Sequence, residues 1–266
     1  MSPAALANVN EALERLLRKY EVSVDRPWRL LGKPQPSDRG PAGALQLVPG
    51  WAEAEADLPE TTVPLRPWRA ERRFLELRRL VEDETIVPAL MCRFACLTDG
   101  EAISLDAALY REFDLVAWLG GAPITRVYAT ITAGRAANVV LRLANDVLCS
   151  VEVATTLPPG TPMQDRHELI ARRGVASDRV VDTQVTQSSV YVWSDGETRQ
   201  FTDTDAELFG LSPLEVSLVR SAYQALSKPE HHGEMRRQHA RLRQLVALAY
   251  ESDRRQQRLD VPGGPP

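Results

Sequence analysis

The sequence predicts an α+β fold: an open, mainly antiparallel β-sheet with helices on one face, preceded by a short helical and proline-rich segment. Three observations point there. About five alternating apolar–polar stretches follow one another between residues 124 and 202. A helix, a strand and a helix precede them and two helices follow. Strands joined in series with helices at both ends describe a sheet covered on one side.

The elements follow in chain order. Residues 3–20 place Leu6, Val9, Leu13, Leu16, Leu17 and Tyr20 three and four apart, an amphipathic helix. From Asp25 to Trp68 prolines recur at 27, 34, 36, 41, 49, 59, 64 and 67. That density predicts an irregular segment, with short strands only at ALQLV (44–48) and TTVPL (61–65). AERRFLELRRLVED, from Ala70, sets Phe74, Leu77, Leu80 and Val81 on one helical face, and TIVPALMCRFACL then alternates as a strand. Asp106 to Leu119 is a helix that Gly120 and Gly121 cap, where positive φ is needed, and Pro123 follows. ITRVYATITAG, ANVVLRLAND, VLCSVEVATTL, DRHELIARRG, SDRVVDTQVTQ and SSVYVWSDGETRQF carry the strand series. LSPLEVSLVRSAYQAL and HHGEMRRQHARLRQLVALAYES are the closing helices, and VPGGPP is a flexible tail.

With 266 residues, 44% hydrophobic, 26% charged and a net charge of −4, the composition is that of a soluble globular protein. The mildly acidic balance gives no reason to expect nucleic acid or an anionic membrane. No apolar run reaches the roughly 18 residues that span a bilayer, and the start reads as neither signal nor transit peptide. The expected location is the cytoplasm. Cys92, Cys96 and Cys149 are too few for a disulfide framework. Cys92 and Cys96 share one strand face and read as buried packing, since no second pair or nearby histidine completes a zinc site.

A dinucleotide site of the Rossmann kind needs G-x-G-x-x-G between a strand and a helix, so that the backbone approaches the pyrophosphate. G-x-G occurs nowhere in this chain, and no phosphate-cradling P-loop is present. The expected cofactor is none.

Four histidines exist. His232 and His239 share a helix face near Glu234, which reads as a solvated helix start before it reads as a metal site. His167 opens a strand; it is either a surface histidine or a general base tuned by Asp165 and Glu168. Asp106 and Asp114 lie eight apart on one helix, about 12 Å by rise, too far for the carboxylate pair of a glycosidase. Lys33, between Gly32 and Pro34, is either a solvated loop residue or a proton donor in a cleft.

REFDLVAWLGG (111–121) followed by APITRVYATI resembles a segment of the Gfo/Idh/MocA oxidoreductases, the inositol dehydrogenase branch in particular, where a stretch like H-E-I-D-V-x-x-W-L leads into the substrate domain's sheet. The resemblance continues through ANVVLRLANDVLCSVEVATTL and through DRHELIARRGVASDRVV, which is similar to a strand ending E-x-x-G-x-x-G. It reaches LVALAYESDRRQQRLDV, similar to the family's closing helix and strand, and so covers residues 63–261. It implies a substrate domain over 63–261, with 1–62 the truncated remnant of an N-terminal Rossmann α/β domain and 262–266 a tail. In that family an E-K-P lysine assists proton transfer and a helix carries a catalytic histidine, often with an aspartate four residues earlier. Carried over, Lys33 of GKP is the counterpart lysine, with Gly32 in place of the glutamate. Arg111 stands at the histidine's place and Ala107 at the aspartate's, with Asp106 one residue off.

An imidazole takes a proton near neutral pH; a guanidinium does not, but it binds carboxylate or phosphate in two-pronged fashion. Arg111 is therefore either a ligand-binding residue or a salt-bridge partner of Glu112 or Asp114. The resemblance thus implies a degenerate member acting as a binding or scaffold subunit, with Lys33, Asp106 and Arg111 as residual catalytic positions and Tyr110, Asp114 and His167 as ligand-binding ones. The implied ligand is a sugar, polyol or sugar acid. The implied partner is a second copy, or a complete dehydrogenase, docked on the open sheet face. The alternative is an active NAD(P)-dependent oxidoreductase with a reduced or partner-supplied cofactor site, in which Asp106, Tyr110 or His167 replaces the base.

Overall fold

The computed structural model describes residues 3–32, 43–86, 88–172, 174–178, 189–194, 197–202 and 210–262. Two compact units emerge: residues 1–71 with 204–243, and residues 72–203 with 244–266.

In the first unit, helix α1 (Pro3–Lys19) buries Val9, Ala12, Leu13 and Leu17, the stripe that its spacing marks as apolar. The proline-rich segment is more regular than its composition suggests. Strands β1 (Trp28–Leu30), β2 (Leu45–Pro49) and β3 (Thr62–Leu65) form a parallel sheet in the order β1-β2-β3. The strands are short, β2 ends on Pro49, and Pro64 falls on the edge strand β3, where proline is best tolerated. Parallel neighbours need a crossover, which residues 50–61 supply for β2 and β3, opening on a 3-10 turn at Gly50–Ala52. Every residue of β3 is buried, as expected for a parallel strand covered on both faces. Helix α4 (Pro213–Ser227) starts on a capping box: Ser212 Oγ accepts from the Glu215 N–H while the Glu215 carboxylate accepts from the Ser212 N–H. Its Leu218, Val219, Ala222, Ala225 and Leu226 complete the core over Leu30, Leu45, Leu47, Val63 and Leu65.

The second unit is built on α2 (Arg72–Glu82), β4 (Ala89–Asp99), α3 (Leu105–Leu119), β5 (Ile124–Thr132), β6 (Ala136–Leu143), β7 (Leu148–Leu157), β8 (Gln164–Ala171), β9 (Gly174–Ser177), β10 (Ser189–Ser194), β11 (Glu197–Thr202) and β12 (Leu259–Asp260). They make one nine-stranded open sheet, ordered β11-β10-β9-β8-β4-β7-β6-β5-β12. Every neighbouring pair is antiparallel except β4 and β7, which run parallel with Cys92 opposite Cys149. The mixed helix and sheet content with an open sheet matches the α+β expectation.

Alternation sets which face is covered. Cys92, Phe94, Cys96, Val139, Leu141, Cys149, Val151 and Val153 are buried, and α3 packs over β4, β6 and β7. Residues of opposite parity, among them Arg93, Leu97, Tyr128, Val140 and Glu152, are exposed. Ser104 caps α3 by accepting from the Ala107 N–H at 3.2 Å. At the other end only Gly121 takes positive φ, 73°; Gly120 stays helical at −72°. Helix α5 (His232–Arg255) gives its second half to this unit. Its Ser252 and Asp253 side chains accept from the Ala129 and Ile131 N–H groups of β5 at 3.0 and 2.8 Å. They satisfy strand donors beyond the two-residue β12. No helix among the described residues is long and apolar enough to cross a membrane.

Candidate functional site

Under the covered face of the second unit, six ionisable side chains from α2, α3, β8 and the end of β9 converge. Each element delivers its residue for a local reason. Arg73 lies in the first turn of α2, and Arg111 and Glu112 lie on the inward side of α3, whose residues 107 to 116 are all buried. Asp165 and His167 share the helix-covered face of β8 by alternation. Asp178 arrives because β9 folds back on β8 with Ser177 opposite Glu168, which sets the next residue beside His167.

Among the described residues the contacts interlock. Arg73 grips Asp165 with both amino nitrogens, at 2.7 and 2.8 Å, and reaches Asp178 Oδ2 at 3.0 Å. Arg111 donates to Glu112 Oε1 and to Asp165 Oδ2, each at 2.5 Å. The imidazole of His167 bridges two acids: Nδ1 lies 2.6 Å from Asp178 Oδ2 and Nε2 lies 3.0 Å from Glu112 Oε2. Phe74 and Phe94 wall the ring edge-on, with centroids 4.7 and 4.9 Å away. Phe74 also lies under the Arg73 guanidinium, at 4.4 Å.

Electrostatics fix the protonation states. Burial pushes the His167 pKa down, but Asp178 and Glu112 outweigh it and lift the pKa to about 9. Burial would raise Asp165, yet Arg73 and Arg111 hold its carboxyl well below the usual range. Glu112 and Asp178 are likewise lowered against burial, the first by Arg111 and His167, the second by His167 and Arg73. Three cations (Arg73, Arg111 and protonated His167) thus face three carboxylates (Glu112, Asp165 and Asp178). Isolated buried charges are prohibitively costly; a balanced, fully hydrogen-bonded set is tolerable. Nearby, burial drives the Cys96 thiol up to about 12, so it stays protonated and behaves as packing.

Asp165, His167 and Asp178 present ligand atoms within 4.8 Å of one another, a spacing compatible with a metal ion. Both ring nitrogens are engaged by Asp178 and Glu112, and Arg73 holds both carboxylates, so a metal would have to displace these contacts and the ring proton.

The structure places the expected site residues as follows, and Arg111 takes its salt-bridge alternative with Glu112. His167 is neither at the surface nor at a strand start: it is fully buried in mid-β8, and its tuning partners are Asp178 and Glu112. Glu168 points to the other face, where it pairs with Arg93. Arg111, with 7% of its side chain exposed, is engaged by Glu112 and Asp165 rather than presented to a ligand. Tyr110 and Asp114 are enclosed in the core at 0% and 1% exposure. Asp106 takes no part in the cluster; half-buried, it accepts from the Tyr250 hydroxyl at 2.5 Å. Burial, then Asp106, raises the Tyr250 phenol pKa. Lys33 lies outside the described residues. His232 and His239 are not solvated either: each is buried and bonded to a backbone carbonyl, Ala225 and Glu55 respectively.

No protein-family model matches the sequence, and no curated protein matches it. Solved structures do match. Levoglucosan dehydrogenase in complex with NADH and L-sorbose superposes with a TM-score of 0.68 at 14% identity, over 92% of this chain and 82% of that one. An Agrobacterium radiobacter oxidoreductase in complex with NAD+, L-tartaric acid and magnesium gives 0.59 at 13% identity, over 75% and 65%. A candidate oxidoreductase from Thermotoga maritima gives 0.53 at 15%, over 75% and 63%. These structural neighbours are Gfo/Idh/MocA-type oxidoreductases. The chain spans under two thirds of the Thermotoga and Agrobacterium proteins' lengths. At these identities the likeness to Gfo/Idh/MocA-type structures concerns architecture alone.

Proposed function

We propose that this chain is a degenerate Gfo/Idh/MocA-like protein without a dinucleotide site of its own, working as a binding or scaffold subunit. The carrying observation is Arg111. It stands where the resemblance puts a proton-accepting histidine, and its guanidinium is committed to Glu112 and Asp165 inside a charge-balanced, enclosed cluster. A guanidinium takes up no proton, and His167 beside it is already protonated at neutral pH. The first unit supports the same reading. Its parallel strands end at Leu30, Pro49 and Leu65, and none leads into G-x-G-x-x-G. The open sheet face, with Leu97, Tyr128, Val140 and Leu148 exposed, is the surface for a second copy or a dehydrogenase partner.

The test is nicotinamide binding by the purified chain. NADH and NADPH, followed by fluorescence, should show no saturable binding at micromolar concentrations. Saturation there would overturn the reading.

One observation favours an oxidoreductase with a partner-supplied cofactor. The half-buried Tyr250–Asp106 pair holds an O–H on a carboxylate that solvent reaches, an arrangement able to pass a proton. Under that reading a sugar or polyol would lie against Asp106. Dehydrogenase activity that appears only when a complete dehydrogenase is added, and falls in Asp106→Asn, would support it.

A further inference from the structure

A cavity of about 390 Å³ in the first unit lies against the start of α5 and is separate from the ionic cluster. His232 lines it and is only 8% exposed. Its Nε2 lies 2.8 Å from the Ala225 carbonyl, in the last turn of α4. A carbonyl only accepts, so Nε2 carries the hydrogen, and the ring serves as a cap for a carbonyl that lacks a partner within its own helix. Nδ1 is then left over, with no partner among the described residues, yet no buried polar side-chain atom is unsatisfied. Nδ1 is therefore reached by solvent, and its residue lines the cavity.

Three further features of the lining favour negative charge. The start of α5, a 24-residue helix, brings the positive end of the dipole, although the His232 N–H is spent on the Pro229 carbonyl of the preceding 3-10 turn. Gly233 in the first turn of α5 leaves the approach open: an added Cβ would meet only an Arg237 nitrogen at 3.6 Å. Two guanidiniums flank it. Arg236 spends one nitrogen on the Glu60 carbonyl at 2.9 Å, and Arg26 is in no ion pair among the described residues. The acids of the lining, Asp25 and Glu60, are exposed, where water and salt screen them.

We propose that this cavity is a binding site for a small oxyanion, a phosphate or carboxylate group, held by Arg26, Arg236 and His232 Nδ1 at the positive end of the α5 dipole. Nδ1 accepts from the O–H of a monoprotonated phosphate, or donates once the ring is charged. The site lies wholly within the first unit and does not depend on the proposed function.

The experiment titrates the ¹⁵N-labelled full chain with inorganic phosphate and, separately, malonate, with sodium chloride holding ionic strength constant. The His232 Nδ1 shift and calorimetry are read together. The expected result is saturable binding with a Kd of about 1 mM or tighter. Arg26→Gln and Arg236→Gln should each weaken it at least about tenfold, the effect of losing one charge-assisted hydrogen bond. Arg142→Gln, on the exposed sheet face, should change nothing. Saturation by phosphate but not malonate identifies a phosphate site, and the reverse a carboxylate site. Shifts that do not saturate, that chloride reproduces, or that survive unchanged in folded Arg26→Gln overturn the proposal.

Discussion

Asp178 and His167 are joined by three hydrogen bonds. One carboxylate oxygen of Asp178 accepts from the His167 backbone N–H at 2.7 Å, and the other lies 2.6 Å from the ring Nδ1. The Asp178 N–H in turn donates to the His167 carbonyl at 3.1 Å. A single acid thereby fixes the end of β9, the orientation of the imidazole and, through Arg73, the start of α2.

Asp178→Asn should be among the most costly single changes in the second unit. The isosteric amide keeps the shape but leaves protonated His167 and Arg73 short of a counter-charge, and breaking a buried pair costs about 3–5 kcal/mol. Urea unfolding should show a lowered midpoint at unchanged slope. A loss under about 1 kcal/mol, the level of an exposed pair, would mean that water reaches the cluster.

Stability should fall at alkaline pH. The folded His167 pKa, about 9, lies above its ordinary 6.5, so the folded state holds this proton more tightly than the unfolded chain. That contribution is complete below pH 6.5 and is lost as pH rises through about 9. Glu112, Asp165 and Asp178 have lowered pKa values, so their contribution is present above the ordinary carboxylate range and is lost as acid titrates them. Thermal unfolding between pH 5 and 10 should show a plateau and then a decline starting above pH 7; His167→Gln should abolish the His-linked part of the decline.

Arg111 and Glu112 should couple strongly. Arg111→Leu alone strips a cation from Glu112 and Asp165, and Glu112→Gln alone strips an anion from Arg111 and His167. The double change restores the charge balance, so its cost should be less than the sum, with a coupling of about 0.5–3 kcal/mol. Additive costs in a double-mutant cycle would show that the two side chains do not act as a pair.

Gly120→Ala should destabilise although Gly120 is helical in φ. An added Cβ would run into Leu143 Cδ1 and lie 2.7 Å from the Val116 carbonyl. Such overpacking costs about 1–3 kcal/mol, readable as a lowered Tm.

Much of the fold was legible. The alternation over residues 124–171 marks strands because one face is buried and the other is not, and the helix stripes of Val9, Leu13 and Phe74 emerge as core. In the proline-rich stretch the expected strands at ALQLV and TTVPL emerge as β2 and β3, while the three-residue β1 is too short to show alternation. Of SDRVVDTQVTQ, most lies outside the described residues. The cluster was legible only in part. Polarity makes His167 look superficial, since nothing local shows that a charged ring has buried partners. The register of the β8–β9 hairpin would have found Asp178, because two antiparallel strands joined after residue 171 return 178 beside 167. Arg73 has no such signal: it meets Asp165 across 92 residues of chain, through packing alone.

The account stands on a cluster with no group free to take a proton. Nitrogen-detected NMR of His167 in the full chain at pH 7.5 tests this most directly. The prediction is two protonated ring nitrogens, persisting until the pH approaches 9. A ring that is neutral at pH 7.5 and titrates near its ordinary value would put a usable base beside Arg111 and contradict the reading.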